Sequence, residues 1–244
     1  MSVLCDPQQN YILRALSPHE FESIAAELEL VTMSCAEVLY EVNEKLQYAY
    51  FPTTATASLL CGLEDGTSVE VAVVGSEGML GVSIFMGGET ALTQAVVHST
   101  GHGYRISAKT LREALTRSGG RRSGTLQQLL LRYAQTLIVQ MAQTTACNRR
   151  HSVEQQLCRW LLLNFDRMHS NSLTMTQELI ANMLGVRRES ITEAARKLQR
   201  AGILSYRRGH IEVTNRAELE THVCECYSIL KKESEQLLID LLAA

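Results

Sequence analysis

The chain of 244 residues is 45% hydrophobic and 20% charged with only 3 prolines, which excludes a disordered or low-complexity protein and gives enough length for two domains with their own cores. A formal net charge of -3 argues against a nucleic-acid binder until it is divided: residues 148–216 carry 12 Lys and Arg against 6 Asp and Glu, residues 1–147 carry 9 against 14, and residues 217–244 carry 2 against 6. A basic module inside an acidic chain is the electrostatic footprint of a nucleic-acid reader, because phosphate contacts supply much of its affinity.

Short helices open the chain. Ile12, Leu13, Leu16, Phe21, Ile24, Ala25 and Leu28 fall in this region, and Ser17-Pro18-His19-Glu20 is a helix start with Ser17 at the cap, Pro18 at the first position and Glu20 at the third. From Leu30 to Ala108 brief β-prone runs follow: Leu30 to Met33, Val38 to Tyr40, Tyr48 to Phe51, Ala57 to Cys61, Ser68 to Val74, Ala95 to His98 and Gly103 to Ile106. Many short strands at close spacing predict a compact β-barrel or β-roll, with Glu64-Asp65-Gly66 as one of its turns. Gly75, Gly78 and Gly81, then Gly87 and Gly88, would let the backbone come close to a neighbour.

Ala108 to Thr116 reads as a small helix, ended by a polar break from Ser118 to Gly124. Beyond it Leu126, Leu130, Tyr133, Leu137, Gln140 and Thr144 recur at alternating spacings of 4 and 3, an a/d seam. The seam has two readings, packing on its own β-domain or pairing with its copy in a second chain, and we take the homodimer as the expectation. Ser152 to about Arg167 forms another helix, carrying Leu157, Trp160, Leu161 and Phe165 into the core of a C-terminal domain. Glu218 to Leu242 is helical, with Val223, Tyr227, Leu230, Leu237, Leu238 and Leu241 as its apolar side, and its partner is not readable.

The stretch Leu173 to Leu204 reads as two helices joined by a tight turn. Thr174 with Gln177 is a capping-box start, Leu179, Ile180, Met183 and Leu184 repeat at helical spacing, and Gly185 ends the helix. The second helix runs from about Arg188 to Arg200, with Ile191, Ala194, Ala195 and Leu198 inward, Gly202 after its end, and Arg188, Glu189, Thr192, Glu193 and Arg196 outward. A helix in the major groove presents such residues to base edges, Arg to guanine and Glu to the cytosine amino group. An ordinary surface helix would carry similar charges, but two β-prone arms around Arg208-Gly209 follow at once, a wing that places Arg207, Arg208 and His210 to meet phosphate.

This order of parts resembles the CRP/FNR family of bacterial transcription regulators over residues 10–215. The most specific match is Leu184-Gly-Val-Arg-Arg-Glu-Ser-Ile-Thr192, similar to the family's Gly-x-x-Arg-Glu-Thr-Val at the start of the recognition helix. The resemblance implies an α+β fold: a β-roll sensor domain like the cyclic-nucleotide-binding jelly roll (1–122), a dimerisation helix and hinge (123–148), a winged helix-turn-helix (149–216) and a C-terminal helix (217–244). It implies base reading by Arg188, Glu189, Thr192 and Glu193, phosphate contacts from Thr176, Arg187, Arg196, Arg207 and Arg208, and double-stranded DNA, a second copy of the chain and RNA polymerase as partners. Glu193 stands where the cyclic-AMP-binding branch has a third base-contacting Arg, so that branch's half-site is not expected.

The sensor pocket departs further. Gly81, Val82 and Ser83 align with the family's Gly-Glu-Leu turn and Leu92 and Thr93 with its Arg-Ser pair, so Val82 replaces the ribose-binding Glu and Leu92 the phosphate-binding Arg. A part-buried phosphate without its charged partner is costly, and cyclic AMP is not expected to bind. Cys5 and Cys35 are too few for an N-terminal iron–sulfur cluster, and His98 or His102 as a haem ligand competes with the commoner half-exposed strand-end histidine. Cys224-x-Cys226, near His222, has a metal-like spacing but no second ligand pair, so the expectation is no cofactor and no metal. Redox control through Cys147 and Cys158, flanking the hinge, rests on position alone.

The seven cysteines are odd in number and dispersed, no secretory signal opens the chain, and no apolar run approaches the roughly 18 residues of a membrane helix. These features predict free thiols in a cytoplasmic protein with no membrane partner. Neither a nucleophile–base pair nor a metal triad is visible, which predicts a protein that is not an enzyme. The alternative to a DNA-binding regulator with an unidentified effector is a ligand or redox sensor acting through protein partners.

Overall fold

Helices α1 (Tyr11–Arg14) and α2 (Pro18–Ala25) lead into the sheets in the computed structural model, which describes residues 6–117, 124–168 and 171–242. The predicted polar break falls, at 118–123, outside the described residues, as does Cys5. Ser17 caps α2 as expected, its hydroxyl oxygen accepting from the Glu20 amide.

Seven antiparallel strands form the roll: β1 (Glu29–Met33), β2 (Val38–Tyr40), β3 (Tyr48–Pro52), β4 (Thr56–Gly62), β5 (Ser68–Val74), β6 (Gln94–Ser99) and β7 (Gly101–Ser107). They pair as two sheets, β1-β7-β3 and β2-β6-β4-β5, around a core that includes Phe51, Ala57, Leu59, Ala72, Val74, Met79, Leu80, Ala95 and Val97. The alternation of β5 is broken once. Leu59 pairs with Ala72 but Leu60 with Glu70, so Val71 is an extra residue, and the bulge turns Glu70 out of the roll interior onto the face that carries Ser58.

After α3 (Ala108–Arg117) comes α4 (Thr125–Arg150), 26 residues long. Its predicted seam is buried within the chain: Leu126, Leu130, Tyr133, Leu137, Gln140 and Thr144 all face inward. The expectation that these six pair with a second chain is therefore corrected. Tyr133 Oη donates to the Met79 carbonyl at 3.0 Å, Gln140 Nε2 donates to the Val73 carbonyl at 3.3 Å, and Thr144 Oγ1 accepts from Arg159. Gly78 permits this packing, since a Cβ there would lie 2.4 Å from the Tyr133 ring. The glycine segment approaches the long helix.

The C-terminal module contains α5 (Val153–Met168), β8 (Ser172–Thr174), α6 (Gln177–Leu184), α7 (Arg188–Arg200), β9 (Leu204–Arg207), β10 (His210–Val213) and α8 (Arg216–His222), with its strands in the order β8-β10-β9. Its core gathers Leu157, Trp160, Leu161 and Phe165 of α5 with Ile180, Ile191, Leu198, Ile203 and Ile211. The last helix, α9 (Glu225–Leu242), runs antiparallel along α4 and joins both cores: Tyr227 and Leu230 enter that of the module, Leu237 and Leu241 that of the roll. Arg132 of α4 holds it through Glu233 at 2.7 Å and Asp240 at 2.6 Å.

Roll and module meet at a buried polar joint. Trp160 Nε1 donates to Glu70 Oε1 at 2.9 Å, Ser58 donates to the other carboxylate oxygen, and Arg167 Nε pairs with Glu77 at 2.6 Å. His98 lies beside them with both ring nitrogens engaged, Nδ1 by Ser58 at 3.0 Å and Nε2 by Thr56 at 3.1 Å. It is buried, which corrects the half-exposed strand-end reading. Burial raises the Glu70 carboxyl from 4.5 to about 7, against the pull of Ser58, Arg159 and Trp160, and lowers the His98 imidazole from 6.5 to about 4.

These two shifts act on stability in opposite senses. The Glu70 contribution is complete below the unfolded value of 4.5 and is lost as pH rises through about 7; that of His98 is complete above 6.5 and is lost as pH falls through about 4. Glu70→Gln keeps an acceptor for Trp160 and removes one of the two titrations. The melting temperature of this variant relative to wild type should climb between about pH 5 and pH 7.5, which thermal unfolding across that range would detect, whereas a constant offset would count against the linkage.

Candidate nucleic-acid interface

Thr176 starts α6, its hydroxyl oxygen accepting from the Leu179 amide at 3.2 Å. The predicted cap, Thr174, lies instead in β8, where it pairs with His210 of β10, and this boundary is corrected by two residues. Gly185 closes α6 in the left-handed conformation at φ 65°, its amide donating back to Ala181 and Asn182. The turn delivers α7 with Ile191, Ala194, Ala195 and Leu198 buried, so Arg188, Glu189, Glu193 and Arg196 are left on the exposed face.

Thr192 is placed differently from its neighbours. It is half-buried, and its hydroxyl donates to Gln177 Oε1 at 2.6 Å, with the Arg188 carbonyl also in reach at 3.1 Å. This bond ties α6 to α7 beside their shared apolar core. Arg188 Nε is 3.8 Å from Glu178, and Glu193 is 3.5 Å from Lys197, both as exposed pairs that solvent screens.

β9 and β10 form the expected hairpin, Arg207 opposite His210, around a two-residue turn in which Arg208 has φ 49° and Gly209 φ 82°. Left-handed backbone at both positions matches the twist of the strands, and it suits Gly or Asn at the first position far better than Arg. The hairpin is anchored by Tyr206 Oη, which donates to the Met175 carbonyl at 2.8 Å, and by the Met175 amide, which donates to Gly209. His210 is exposed, with Nδ1 3.5 Å from Thr174 Oγ1.

Between helices and hairpin lies a cleft of about 280 Å³ lined by Thr176, Gln177, Glu178, Arg188, Tyr206, Arg208 and Gly209. A second depression, of about 530 Å³, follows the outer face of α7 past Glu189, Thr192, Glu193, Arg196, Lys197 and Arg200. The predicted residues thus divide into two neighbouring groups, Thr176, Arg188 and Arg208 in one and Glu189, Thr192, Glu193 and Arg196 in the other. Arg187 and Arg207 are exposed outside both. Tyr206, Lys197 and Arg200 join these surfaces beyond the residues expected from sequence, and Gln177, expected as a cap partner, lines the cleft; Arg200 repeats Arg196 one helical turn on, the signal the sequence offers for it.

The predicted sensor pocket is not assembled as expected. Gly81 is buried in the left-handed conformation at φ 92° and Val82, Ser83 and Thr93 are half-buried, but Leu92 is 78% exposed. A side chain in that position does not line an enclosed site, so its assignment to the pocket is corrected. Cys35 and Cys61 are exposed, and Cys158 is buried in the module core, where burial and the nearby Glu154 and Cys224 raise its thiol to about 12. His222 is engaged by Glu154 at 3.3 Å.

Residues 155–222 match the family model of the Crp-like helix-turn-helix domain. The fold as a whole is similar to that of a protein from Eubacterium rectale described as a regulator of the crp/fnr family, at 18% identity and a TM-score of 0.68 over 87% of this chain and 98% of that one. It is also similar to TTHB099, a transcriptional regulator of the CRP family from Thermus thermophilus, at 18% identity and a TM-score of 0.64 over 79% and 95% of the two chains. FixK2 from Bradyrhizobium japonicum matches at 17% identity and a TM-score of 0.62 over 81% and 98%. None of the curated proteins compared with the chain matches it.

Replacing Arg208 by Gly relieves the left-handed strain, worth about 1 kcal/mol, while deleting a charge from the cleft. The expected outcome is a melting temperature equal to or above that of wild type together with weaker, less salt-dependent binding to DNA, measured by fluorescence anisotropy across a salt series.

Proposed function

We propose that this protein, whose residues 155–222 match the Crp-like helix-turn-helix family model and whose fold is similar to that of a described crp/fnr-family regulator, is a homodimeric transcription regulator whose α7 reads a two-fold symmetric DNA site. The observation that carries this reading is the start of α7, where Arg188 and Glu189 are exposed and Arg188 shares a cleft with the Arg208 tip of the hairpin. Base-reading groups and phosphate-binding charge are then offered from one surface, within the one segment of the chain that is net basic.

For the dimer, a different stripe of α4 replaces the predicted one. Gln128, Leu131, Gln135, Ile138, Ala142 and Thr145 recur at spacings of 3 and 4 on the side turned away from both the roll and α9, and Leu131 and Ile138 are 51% and 58% exposed. Two copies meeting there would bury apolar surface that a single chain leaves in water. RNA polymerase remains part of the proposal with no surface assigned to it. No described helix is long and apolar enough to cross a membrane, and a cytoplasmic location is part of the proposal.

The effector in this reading is not cyclic AMP. Val82, at the position of the ribose-binding Glu, brings no charge to the Gly81 turn. Identification of the effector starts from binding by the untreated protein.

Arg188→Ala and Glu189→Ala should each weaken selective DNA binding by about 1–3 kcal/mol while leaving unselective, salt-sensitive binding in place. Intact regulation in cells carrying both changes would favour action through protein partners instead. Ile138→Glu combined with Leu131→Glu should convert the dimer to a folded monomer in sedimentation and abolish tight binding to the symmetric site; an unchanged dimer would reject this stripe.

A further inference from the structure

Cys147 lies on the last turn of α4 and His151 caps its end, while Cys224 and Cys226 sit where α8 gives way to α9. Their ligand atoms, three Sγ and one ring nitrogen, all lie within 4.8 Å of one another. Cys147 Sγ is 3.6 Å from Cys224 Sγ, and Cys226 Sγ is 3.5 Å from His151 Nδ1. Zinc–sulfur bonds of about 2.3 Å and zinc–nitrogen bonds of about 2.0 Å give a ligand tetrahedron with edges of roughly 3.5–3.8 Å. Both measured edges fit. An iron–sulfur cluster, with several irons and sulfides between its cysteines, needs thiolates spread more widely.

We propose that Cys147, His151, Cys224 and Cys226 bind one Zn²⁺ in a closed Cys₃His site that clamps together the entry and the exit of the helix-turn-helix module. Three surrounding contacts suit the bound state. His151 Nε2 is 3.3 Å from Glu225 Oε2, so the carboxylate takes one ring nitrogen and leaves Nδ1 for the metal, the usual arrangement behind a zinc-bound histidine. Gln143 Nε2 donates to Cys226 Sγ at 3.1 Å, which favours a thiolate. Arg159 is 3% exposed, and its hydrogen bonds go to the neutral acceptors Thr144 and Asn148.

Three thiolates and a neutral imidazole around Zn²⁺ leave one negative charge. Arg159 is close enough to act on the Cys147 thiol, as it also does on Glu70, and its buried guanidinium would balance that charge. A site with four protein ligands has no open position, which marks it as structural. The segment between its two ligand pairs holds the whole of α5 to α8. Zinc there fastens that segment at both ends to α4, as a disulfide closing the same loop would. The Cys-x-Cys spacing was half of the site; its complement is Cys147-x₃-His151, with His151 in place of the neighbouring His222.

The test uses the full chain purified under reductant. Metal analysis should find one zinc per chain, and cobalt added to stripped protein should give the thiolate charge-transfer and strong visible bands of a tetrahedral site. Cys147→Ser, Cys224→Ser and His151→Ala should lose or alter those bands, and Cys61→Ser should keep them. Glu225→Ala, an exposed change with little risk to folding, should retain the spectrum and weaken zinc binding by about 10- to 100-fold in a chelator competition. Stripping should lower the melting temperature and zinc should restore it. The proposal is overturned if reduced wild-type protein neither retains zinc nor yields a tetrahedral cobalt spectrum, if the spectrum survives in the cysteine variants, or if the bound metal is an iron–sulfur cluster. A Cys147–Cys224 disulfide in protein that binds no zinc when reduced would likewise overturn it.

Discussion

A carboxyl group taken fully out of water persists only where its surroundings hold it, and Glu70 is held from both sides of the contact between roll and module. Ser58 belongs to the roll and Trp160 to α5, so the group is satisfied only while the two units are docked. Glu77 and Arg167 repeat the arrangement a few residues away. Separating the units would leave two acids and an Arg to find water in place of these partners. The docking therefore has specific geometry, beyond the apolar area it covers, and that geometry sets how α7 is presented relative to the roll.

α4 mediates between everything else because its three sides have three different occupants. One side is taken by the roll through Tyr133 and Gln140, a second by α9 through Arg132, and the third, with Leu131 and Ile138, faces outward. A shift of the helix along its axis would disturb the first two at once. This is the kind of packed, discrete element through which a change in the roll can reach the module.

The sequence made the local structure legible wherever one residue type has one physical use. Strand limits followed from alternation and turn residues, and Ser17, Gly185 and Gly202 marked helix ends because caps and left-handed exits admit few alternatives. Thr174 shows the limit of such signals: it has the spacing of a cap, but pairing with β10 claims it, and Thr176 caps α6 instead. Periodicity revealed that α4 buries an a/d stripe without revealing against what, and the nearest surface is its own roll. The convergence of the four ligand-type residues at the hinge is hidden for the same reason: Cys224-x-Cys226 has a metal-like spacing by itself, but the entire module separates it from Cys147 and His151. The apolar side of α9 was evident, yet no pattern tells that one helix completes two cores.

That division of α9 bears on the order in which the molecule comes into being. Chains are made from the N-terminus, and a roll that could otherwise fold early lacks Leu237 and Leu241 until nearly the whole described chain has left the ribosome. The module waits for the same helix, through Tyr227 and Leu230. Neither half closes its core alone, so nascent roll and nascent module stay open together and close together when α9 is laid down.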